Sequence, residues 1–256
     1  MLATAPDCHT LDPVLSRPYC ARFAFPEVSM DTSRRDFVER LAGSAVLFGA
    51  TPLMFSGGLQ ELEAATAPVL ADAYDMSWTA KVAGKQKAVM DVPEVDSGYG
   101  VWRAGITKGQ LVEFMKVPAK EVSMVLVLRH NGINLAMTQA YWDGFGVGKE
   151  MNATHPADGK PTTKNPGLLD AKAGLPPQFD GLSIPQFIAG GGIVLACNLA
   201  LNLDIVPKFQ KRDKSTEAAA HTAAAAAMIP GIILQPSGVF AAVRAQQLGC
   251  SYVRAS

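Results

Sequence analysis

Near-continuous apolar runs, without alternation of apolar and polar residues, mark several strands of this chain. Such runs are typical of parallel strands that are buried on both faces of a sheet. The pattern predicts strands at 85–92, 122–130, 193–197, 231–237 and 251–255. Helical spacing of apolar residues predicts helices at 99–115, 132–145, 184–188, 198–203 and 239–248. The alternation of strand and helix predicts an α/β domain on a mostly parallel sheet, with the second strand at its centre.

Two stretches interrupt this alternation. Residues 146–180 hold several Pro and Gly dipeptides that resist regular structure. A connection of this length is usually a lid, a binding loop or an oligomer contact. Residues 215–228 are alanine-rich and include His221, which predicts an extended helix that packs or spaces without carrying chemistry.

Composition limits the partners of the chain. Its 256 residues are 48% hydrophobic and 18% charged, with a formal net charge of +0, which suits one good-sized domain and an extra segment. Binding to nucleic acid needs a clustered basic excess, so we expect no nucleic-acid partner. The basic run at 208–214 is interrupted by Asp213 and is typical of a solvated helix face.

An export signal precedes the predicted domain. Paired arginines, Arg34 and Arg35, are followed by an apolar stretch and then by small residues near Ala67. Residues 30–67 therefore match a twin-arginine signal, which implies export of a folded protein to the periplasm and contact with the membrane only through the signal. An ordinary amphipathic helix and an uncleaved signal anchor are the alternatives.

Residues 1–29 lie before this signal and show no clear period. A twin-arginine signal normally starts close to the N-terminus, so Met30 is well placed as the true start. We interpret 1–29 as a mis-assigned or disordered extension and 68–256 as the α/β domain. The mature protein would then hold two cysteines, Cys197 and Cys250.

The carboxyl ends of the predicted strands bring polar side chains to one edge of the sheet. Ligands bind at this edge of open parallel sheets, in the loops that lead into helices. The residues that the strand ends place there are Asp91, His130, Asn131, Cys197, Asn198, Ser237 and Gly238. Cys197 and His130, the thiol and the imidazole of this set, are the catalytic candidates. A thiol at the start of a helix is favoured as the thiolate, which is the nucleophilic form. The other five are candidate ligand-binding residues.

Each of these residues also has a structural interpretation. Free cysteine often fills a core, turns favour Asp, and helix caps favour Ser and Asn. The alternatives are a core thiol for Cys197, a loop hydrogen bond for His130, a turn for Asp91, and helix caps for Ser237, Asn131 and Asn198. Arg129 could pair with a carboxylate at the flank of the sheet.

Other site types have no support in the sequence. The glycines at 190–192 precede their strand, so they lie at the opposite edge from the candidate residues, and no P-loop or dinucleotide motif is present. The four histidines are scattered, so we expect no metal site and no cofactor. Cys197 ends a strand and Cys250 precedes one, roughly 15–20 Å apart for ordinary strand lengths. A disulfide needs Cα atoms within about 7 Å, so we expect none between them.

The carboxyl-terminal third carries a family resemblance. Its residues are Gly191-Gly-Ile-Val-Leu-Ala-Cys197-Asn198-Leu-Ala-Leu, Pro236-Ser237-Gly238-Val239 and Ala245-Gln-Gln-Leu-Gly249-Cys-Ser-Tyr252-Val. These motifs resemble the DsrE/DsrF-like sulfur-relay family, and the front half, with Val125-Leu-Val-Leu-Arg129-His130 and Trp142, resembles an exported branch of it. The resemblance spans roughly residues 80–256.

The resemblance implies a doubly wound fold, with five strands and helices on both faces, and assembly into homotrimers or hexamers. It implies that Cys197 accepts sulfur as a persulfide, with His130 near it for proton transfer and a small sulfur compound or a partner thiol protein as the other reactant. The export signal departs from the cytoplasmic members, which pass sulfur to cytoplasmic partners. The long loop and the alanine-rich helix are also additions to the compact family pattern.

Two functional hypotheses follow. The first is an exported DsrE-like protein that binds or carries sulfur on Cys197 in periplasmic thiol or sulfur metabolism. The alternative is a non-enzymatic oligomeric periplasmic protein that binds a small ligand or metal in the strand-end pocket around His130. Hydrolysis through Ser237 is weaker, since no nucleophile-elbow pattern surrounds that serine. Whether the chain is an enzyme stays open at this point.

Overall fold

The computed structural model describes residues 74–170 and 175–256. The proposed extension 1–29 and the predicted export signal 30–67, with Cys8 and Cys20, lie outside the described residues. Among the helices of the described ranges, none is both long enough and apolar enough to cross a membrane.

A five-stranded sheet, parallel throughout, forms the centre of the domain. Its order is β4-β3-β2-β1-β5, which puts β2 in the middle as the sequence predicts. The strands are β1 Gln86–Val92, β2 Val122–Leu128, β3 Ile193–Cys197, β4 Ile233–Gln235 and β5 Ser251–Arg254. All five predicted strands are therefore confirmed, and the α/β fold with them.

Helices connect the strands. The α-helices are α1 Trp78–Lys81, α2 Tyr99–Phe114, α3 Gln139–Phe145, α4 Val147–Glu150, α5 Ile184–Ala189, α6 Asn198–Ala200, α7 Val206–Asp213, α8 Glu217–Ala226 and α9 Gly238–Gln247. A π turn, Leu201–Ile205, joins α6 to α7 without a break. Pro207 explains this turn, because proline has no N–H for the carbonyl of Leu203 and its ring would clash with that group.

Hydrophobic clusters cover both faces of the sheet, so the fold is doubly wound. Alternate residues of β2 point to opposite sides: Leu126 and Leu128 join the larger cluster, and Val125 and Val127 the smaller one. Buried residues of α2, α5, α7 and α8 lie in the larger cluster, whereas those of α1 and α9 lie in the smaller one. Because β2 is buried on both faces, its sequence shows a continuous apolar run.

The chain changes faces between β3 and β4, and this change creates a crevice. After β3 it enters α6 and α7, which pack into the larger cluster, and after β4 it enters α9, which packs into the smaller one. Loops that leave neighbouring strands toward opposite faces leave an opening above the carboxyl ends of those strands. The candidate site lies at this opening.

The helix predicted at 132–145 is broken in the structure. A 3₁₀ segment, His130–Ala136, comes first, and α3 starts only at Gln139. Between them Met137 forms an isolated bridge with Met228, and the amide of Thr138 donates to the carbonyl of Ala227 at 2.9 Å. These non-helical bonds end the first segment. Ala140, which one continuous helix over 132–145 would place on the buried face beside Ala136, is exposed.

The segment 146–180 contains only short elements where it is described: α4, two 3₁₀ turns and a bridge between Thr154 and Pro161. Asn165 pins it to the core, because its buried amide donates to the carbonyls of Leu135 and Met137 at 3.1 and 2.7 Å. The amide of Gly167 donates to Asn165 Oδ1 at 2.9 Å.

Gly132 allows the segment after β2 to pack closely against the backbone at the end of β1, and its replacement tests that packing. A Cβ atom at this position would lie 2.1 Å from the carbonyl oxygen of Val92. We expect Gly132→Ala to lower the free energy of unfolding by about 1–3 kcal/mol, as overpacking does. Gly109→Ala is the matched control, since it lies in α2 with nothing within 4 Å of the added carbon. It should raise stability by about 0.5–1 kcal/mol. Urea denaturation measures both, and equal effects would contradict the tight packing at Gly132.

Candidate functional site

A cavity of about 590 Å³ opens at the carboxyl ends of β2, β3 and β4. It is lined by Arg129, His130, Asn131, Cys197, Leu199, Ala200, Leu203, Asp204, Ser237, Gly238 and Val239. Five of the seven residues that the sequence places at this edge, namely His130, Asn131, Cys197, Ser237 and Gly238, therefore meet in one cavity. The described part of 146–180 contributes no lining residue.

Cys197 is both the last residue of β3 and the cap of the helix that follows. Its Sγ accepts a hydrogen bond from the amide of Ala200 at 3.3 Å, and the residue is 5% exposed. The sequence suggested Asn198 as the cap, but the cysteine itself fills this role because its side chain points back over the first turn. An amide donor and the positive end of a helix both stabilise negative charge on sulfur.

Asn198, expected among the ligand-binding residues of this edge, does not line the cavity. Its Nδ2 donates to Tyr74 Oη at 2.9 Å, and its Oδ1 lies 2.8 Å from Nε2 of His221. A second cavity of about 410 Å³ lies on that side. Asn198 therefore faces the second cavity, whereas Cys197 faces the first. The polar contact of His221 was also unexpected for the alanine-rich helix α8.

Asp91 does not line the cavity but binds Arg129, which does. It lies inside β1, 1% exposed, so its interpretation as a turn residue is wrong. Both carboxylate oxygens accept from Arg129, from Nε and from Nη2, each at 2.7 Å. Tyr252 of β5 adds a third bond from its hydroxyl at 2.6 Å. The carboxylate on β1 thus holds the arginine that follows β2.

The Asp91 carboxylate also determines the protonation of its two partners. The hydrogen bond from Arg129 raises the pKa of the guanidinium above its ordinary value, so the arginine remains charged wherever the protein is folded. The bond from Tyr252 raises the pKa of the phenol, with burial as a smaller cause. Tyr252 therefore keeps its proton and remains a donor at neutral pH.

Ser237 and Gly238 form the start of α9 at the far wall of the cavity. Ser237 Oγ accepts from the amide of Phe240 at 3.1 Å, which confirms its interpretation as a helix cap. Gly238 lies against Arg129, because an added Cβ would be 2.5 Å from the Cβ of the arginine. The glycine therefore lets α9 approach the arginine closely.

His130 and Asn131 share a carboxylate that the sequence interpretation missed. Nδ1 of His130 lies 3.4 Å from Glu94 Oε1, and Asn131 Nδ2 donates to Glu94 Oε2 at 2.8 Å. His130 has a φ of +50°, and its side chain is 65% exposed at the mouth of the cavity. From the sequence, we predict Asp91 as the polar residue at the end of the first strand. β1 ends at Val92, and Glu94 lies two residues further on, so the loop after the strand is the place to look for this carboxylate.

Apolar side chains around the cavity were also missed. Leu199, Leu203 and Val239 line it and are 55%, 72% and 61% exposed. Asp204 lies among them, but its carboxylate is already paired. Its Oδ2 accepts from Asn134 at 2.9 Å and its Oδ1 lies 3.1 Å from Lys208 Nζ. Helical spacing does not distinguish such exposed leucines from core positions.

Cys197 and Cys250 are both free, so the expectation of no disulfide between them is confirmed. Cys197 packs into the larger hydrophobic cluster and Cys250 into the smaller one, on the other face of the sheet. Burial raises the pKa of the Cys250 thiol, and nearby Lys87 offsets part of this effect. A raised pKa keeps Cys250 in the unreactive thiol form near neutral pH.

Within 74–170 and 175–256, no group of three or more His, Cys, Asp or Glu side chains could hold a metal ion. Comparison with known proteins finds no matching family model and no matching curated protein. The structure thus defines a doubly wound α/β protein with a cysteine and an arginine in one strand-end cavity.

The Asp91–Arg129 pair should contribute strongly to stability. Removing one partner of a largely buried ion pair leaves the other charge without compensation. We expect Asp91→Asn to lower the free energy of unfolding by about 2–3 kcal/mol, less than for a fully buried pair because the arginine is partly exposed. Tyr252→Phe removes one hydrogen bond and should cost about 1 kcal/mol. Urea denaturation at pH 7 compares the two variants, and an Asp91→Asn protein as stable as the wild type would contradict this account.

Proposed function

We propose that the chain is an exported DsrE-like sulfur carrier in which Cys197 holds sulfur as a persulfide. The observation that carries this proposal is the position of the Cys197 sulfur. It lies at the start of a helix, accepts an amide hydrogen bond and faces a cavity of about 590 Å³. A core thiol needs neither a donor nor a cavity, so this arrangement favours chemistry over packing.

The transfer step uses groups that line the same cavity. The Cys197 thiolate attacks the outer sulfur of a sulfane-sulfur donor; the new S–S bond forms as the donor's own bond to that sulfur breaks, and the rest of the donor departs with the electron pair. His130, which lines the same cavity with its Nδ1 3.4 Å from Glu94 Oε1, is the group that we assign to proton exchange with the departing group. The product, Cys197–S–SH, keeps its outer sulfur in the cavity, where a partner thiol takes it by the same exchange.

The wider setting belongs to the proposal too. The twin-arginine signal at 30–67 supports periplasmic action. A homotrimer or hexamer is proposed from the family resemblance alone. Leu203, Val239 and Phe240, exposed at 72%, 61% and 42%, offer apolar surface for a second subunit or a partner thiol protein.

Sulfur loading of purified protein tests this function. After incubation with inorganic polysulfide at pH 7.5, a value chosen near neutrality, and trapping with iodoacetamide, peptide mass spectrometry locates added sulfur among the four cysteines. We expect it on Cys197, abolished by Cys197→Ser and at least about tenfold lower on Cys250, whose thiol stays protonated.

Cys250→Ser is the matched control and should load normally. An unlabelled Cys197, or equal labelling of Cys197 and Cys250, would show that the site gives Cys197 no special reactivity.

The second candidate is binding of a small organic ligand in the same cavity without turnover. The size and the apolar lining of the cavity favour it, whereas metal binding has no ligand cluster among the described residues. The two functions separate in the combination of two measurements. If binding alone is the function, benzoate, used as a probe in thermal-shift assays, should stabilise Cys197→Ser as well as the wild type, and the wild type should take up no sulfur on Cys197 from polysulfide.

A further inference from the structure

We propose that the sulfur donor to Cys197 is an organic sulfane-sulfur anion, with an apolar body and a charged, sulfur-bearing head, of the thiosulfonate class R–SO₂–S⁻. This inference rests on the proposed function and specifies the substrate of the same site. Three features of the cavity carry it: its size, the position of its apolar side chains and the donors near its arginine.

The cavity is large for an inorganic donor. Its volume of about 590 Å³ lies within the range of roughly 300–1,000 Å³ that is typical of pockets for organic ligands. An inorganic anion such as thiosulfate would fill a small part of this space and leave the walls in contact with water. The volume therefore favours a donor that carries an organic group.

Apolar side chains lie where that group would bind. Leu199 and Leu203 are four residues apart in the helix that Cys197 caps, so they share one face of it. Val239 lines the cavity from the start of α9. All three are more than half exposed, and covering such side chains with an apolar ligand removes their surface from water. These residues contact the body of the donor.

The protein offers hydrogen-bond donors for the charged head of the sulfur donor. Arg129 donates Nε and Nη2 to Asp91 and its guanidinium also interacts with the Tyr252 hydroxyl, while none of the hydrogen bonds found among residues 74–170 and 175–256 involves its Nη1. The amides of Gly238 and Val239 belong to the first turn of α9, where no helical acceptor is available. Together they form a donor set for the oxygens of a sulfonyl group.

The carboxylates near the cavity do not oppose this assignment. Asp204 is paired with Asn134 and Lys208, and Glu94 is bonded to Asn131 and lies beside His130. Asp91 is buried beneath Arg129. Arg129 is therefore the lining cation near Cys197, and it offsets the repulsion between the thiolate and an anionic donor.

The transfer balances without an oxidant or a reductant. The thiolate of Cys197 attacks the outer sulfur of R–SO₂–S⁻ and forms the new S–S bond. The bond between the outer sulfur and the sulfonyl sulfur breaks, and its electron pair leaves with the sulfinate R–SO₂⁻. The products are Cys197–S–S⁻ and the sulfinate, with two negative charges on each side. Arg129 and the first turn of α9 hold the sulfonyl oxygens before and after the step.

A comparison of two donors tests the organic body. Purified full-length protein is mixed with benzenethiosulfonate or with thiosulfate, and sulfur on Cys197 is followed by peptide mass spectrometry while released benzenesulfinate is measured by chromatography. We expect the second-order rate to be at least about tenfold higher for benzenethiosulfonate, since burial of its aromatic ring against the apolar wall removes that surface from water. Each rate is divided by the rate at which the same donor reacts with a small-molecule thiol. This normalisation removes any difference in the intrinsic reactivity of the two donors.

Variants at the wall provide matched controls. Leu203→Ser should lower the ratio of the benzenethiosulfonate rate to the thiosulfate rate about tenfold, because only the donor with an organic group contacts this side chain. Val243→Ser, at an exposed position of α9 outside the cavity lining, should change neither rate. A uniform loss with both donors in Leu203→Ser would indicate general damage to the site and would overturn the assigned role of Leu203.

Competition tests the charged head. Benzenesulfonate should inhibit loading, whereas the neutral benzenesulfonamide, which has the same ring, should be at least about tenfold weaker. Equal inhibition by the two compounds would overturn the assignment of a negatively charged head to the sulfur donor. Equal normalised rates for the two donors would overturn the claim that the donor carries an organic group. Cys197 would still be a sulfur acceptor. No loading from either donor, together with none from polysulfide, overturns the proposed function as well.

Discussion

The buried ion pair between Asp91 and Arg129 is the interaction on which the candidate site depends. The pair joins Asp91 of β1 to Arg129, the residue that follows β2. The carboxylate accepts a third hydrogen bond from Tyr252 of β5, and Arg129 packs against Gly238 at the start of α9. Burying a carboxylate is costly unless its oxygens are satisfied, and here three charge-assisted bonds satisfy them. Strands from three positions of the sheet thereby fix one cation at the cavity wall.

The change of faces between β3 and β4 places the thiol beside that cation. Cys197 ends β3 and caps the helix on one face, while Ser237 and Gly238 start the helix on the other face. The two helix starts and Arg129 therefore converge on one cavity. The strand ends supply the thiol and the arginine, and the helices that follow supply the apolar side chains of the cavity, while the sheet itself remains a packed core.

Much of this arrangement could be predicted from the sequence, because burial of a parallel strand on both faces leaves a continuous apolar run. The strand ends then bring Cys197, His130 and Ser237 to one edge. Contacts that join distant segments could not be predicted: Asp91 meets Arg129 and Tyr252 only after the strands are ordered, and Glu94 depends on where β1 ends. The side that Asn198 faces depends on the rotation of a helix that Cys197 itself caps.

The central claim is that Cys197 carries sulfur, and the protein from its own host tests it most directly. The chain is purified without reductant, trapped at once with iodoacetamide and digested, and the peptide that contains Cys197 is weighed by mass spectrometry. We predict a population in which Cys197 carries one additional sulfur atom, with none on Cys250. A Cys197 found entirely as the simple thiol, in cells supplied with a sulfur source, would contradict the account.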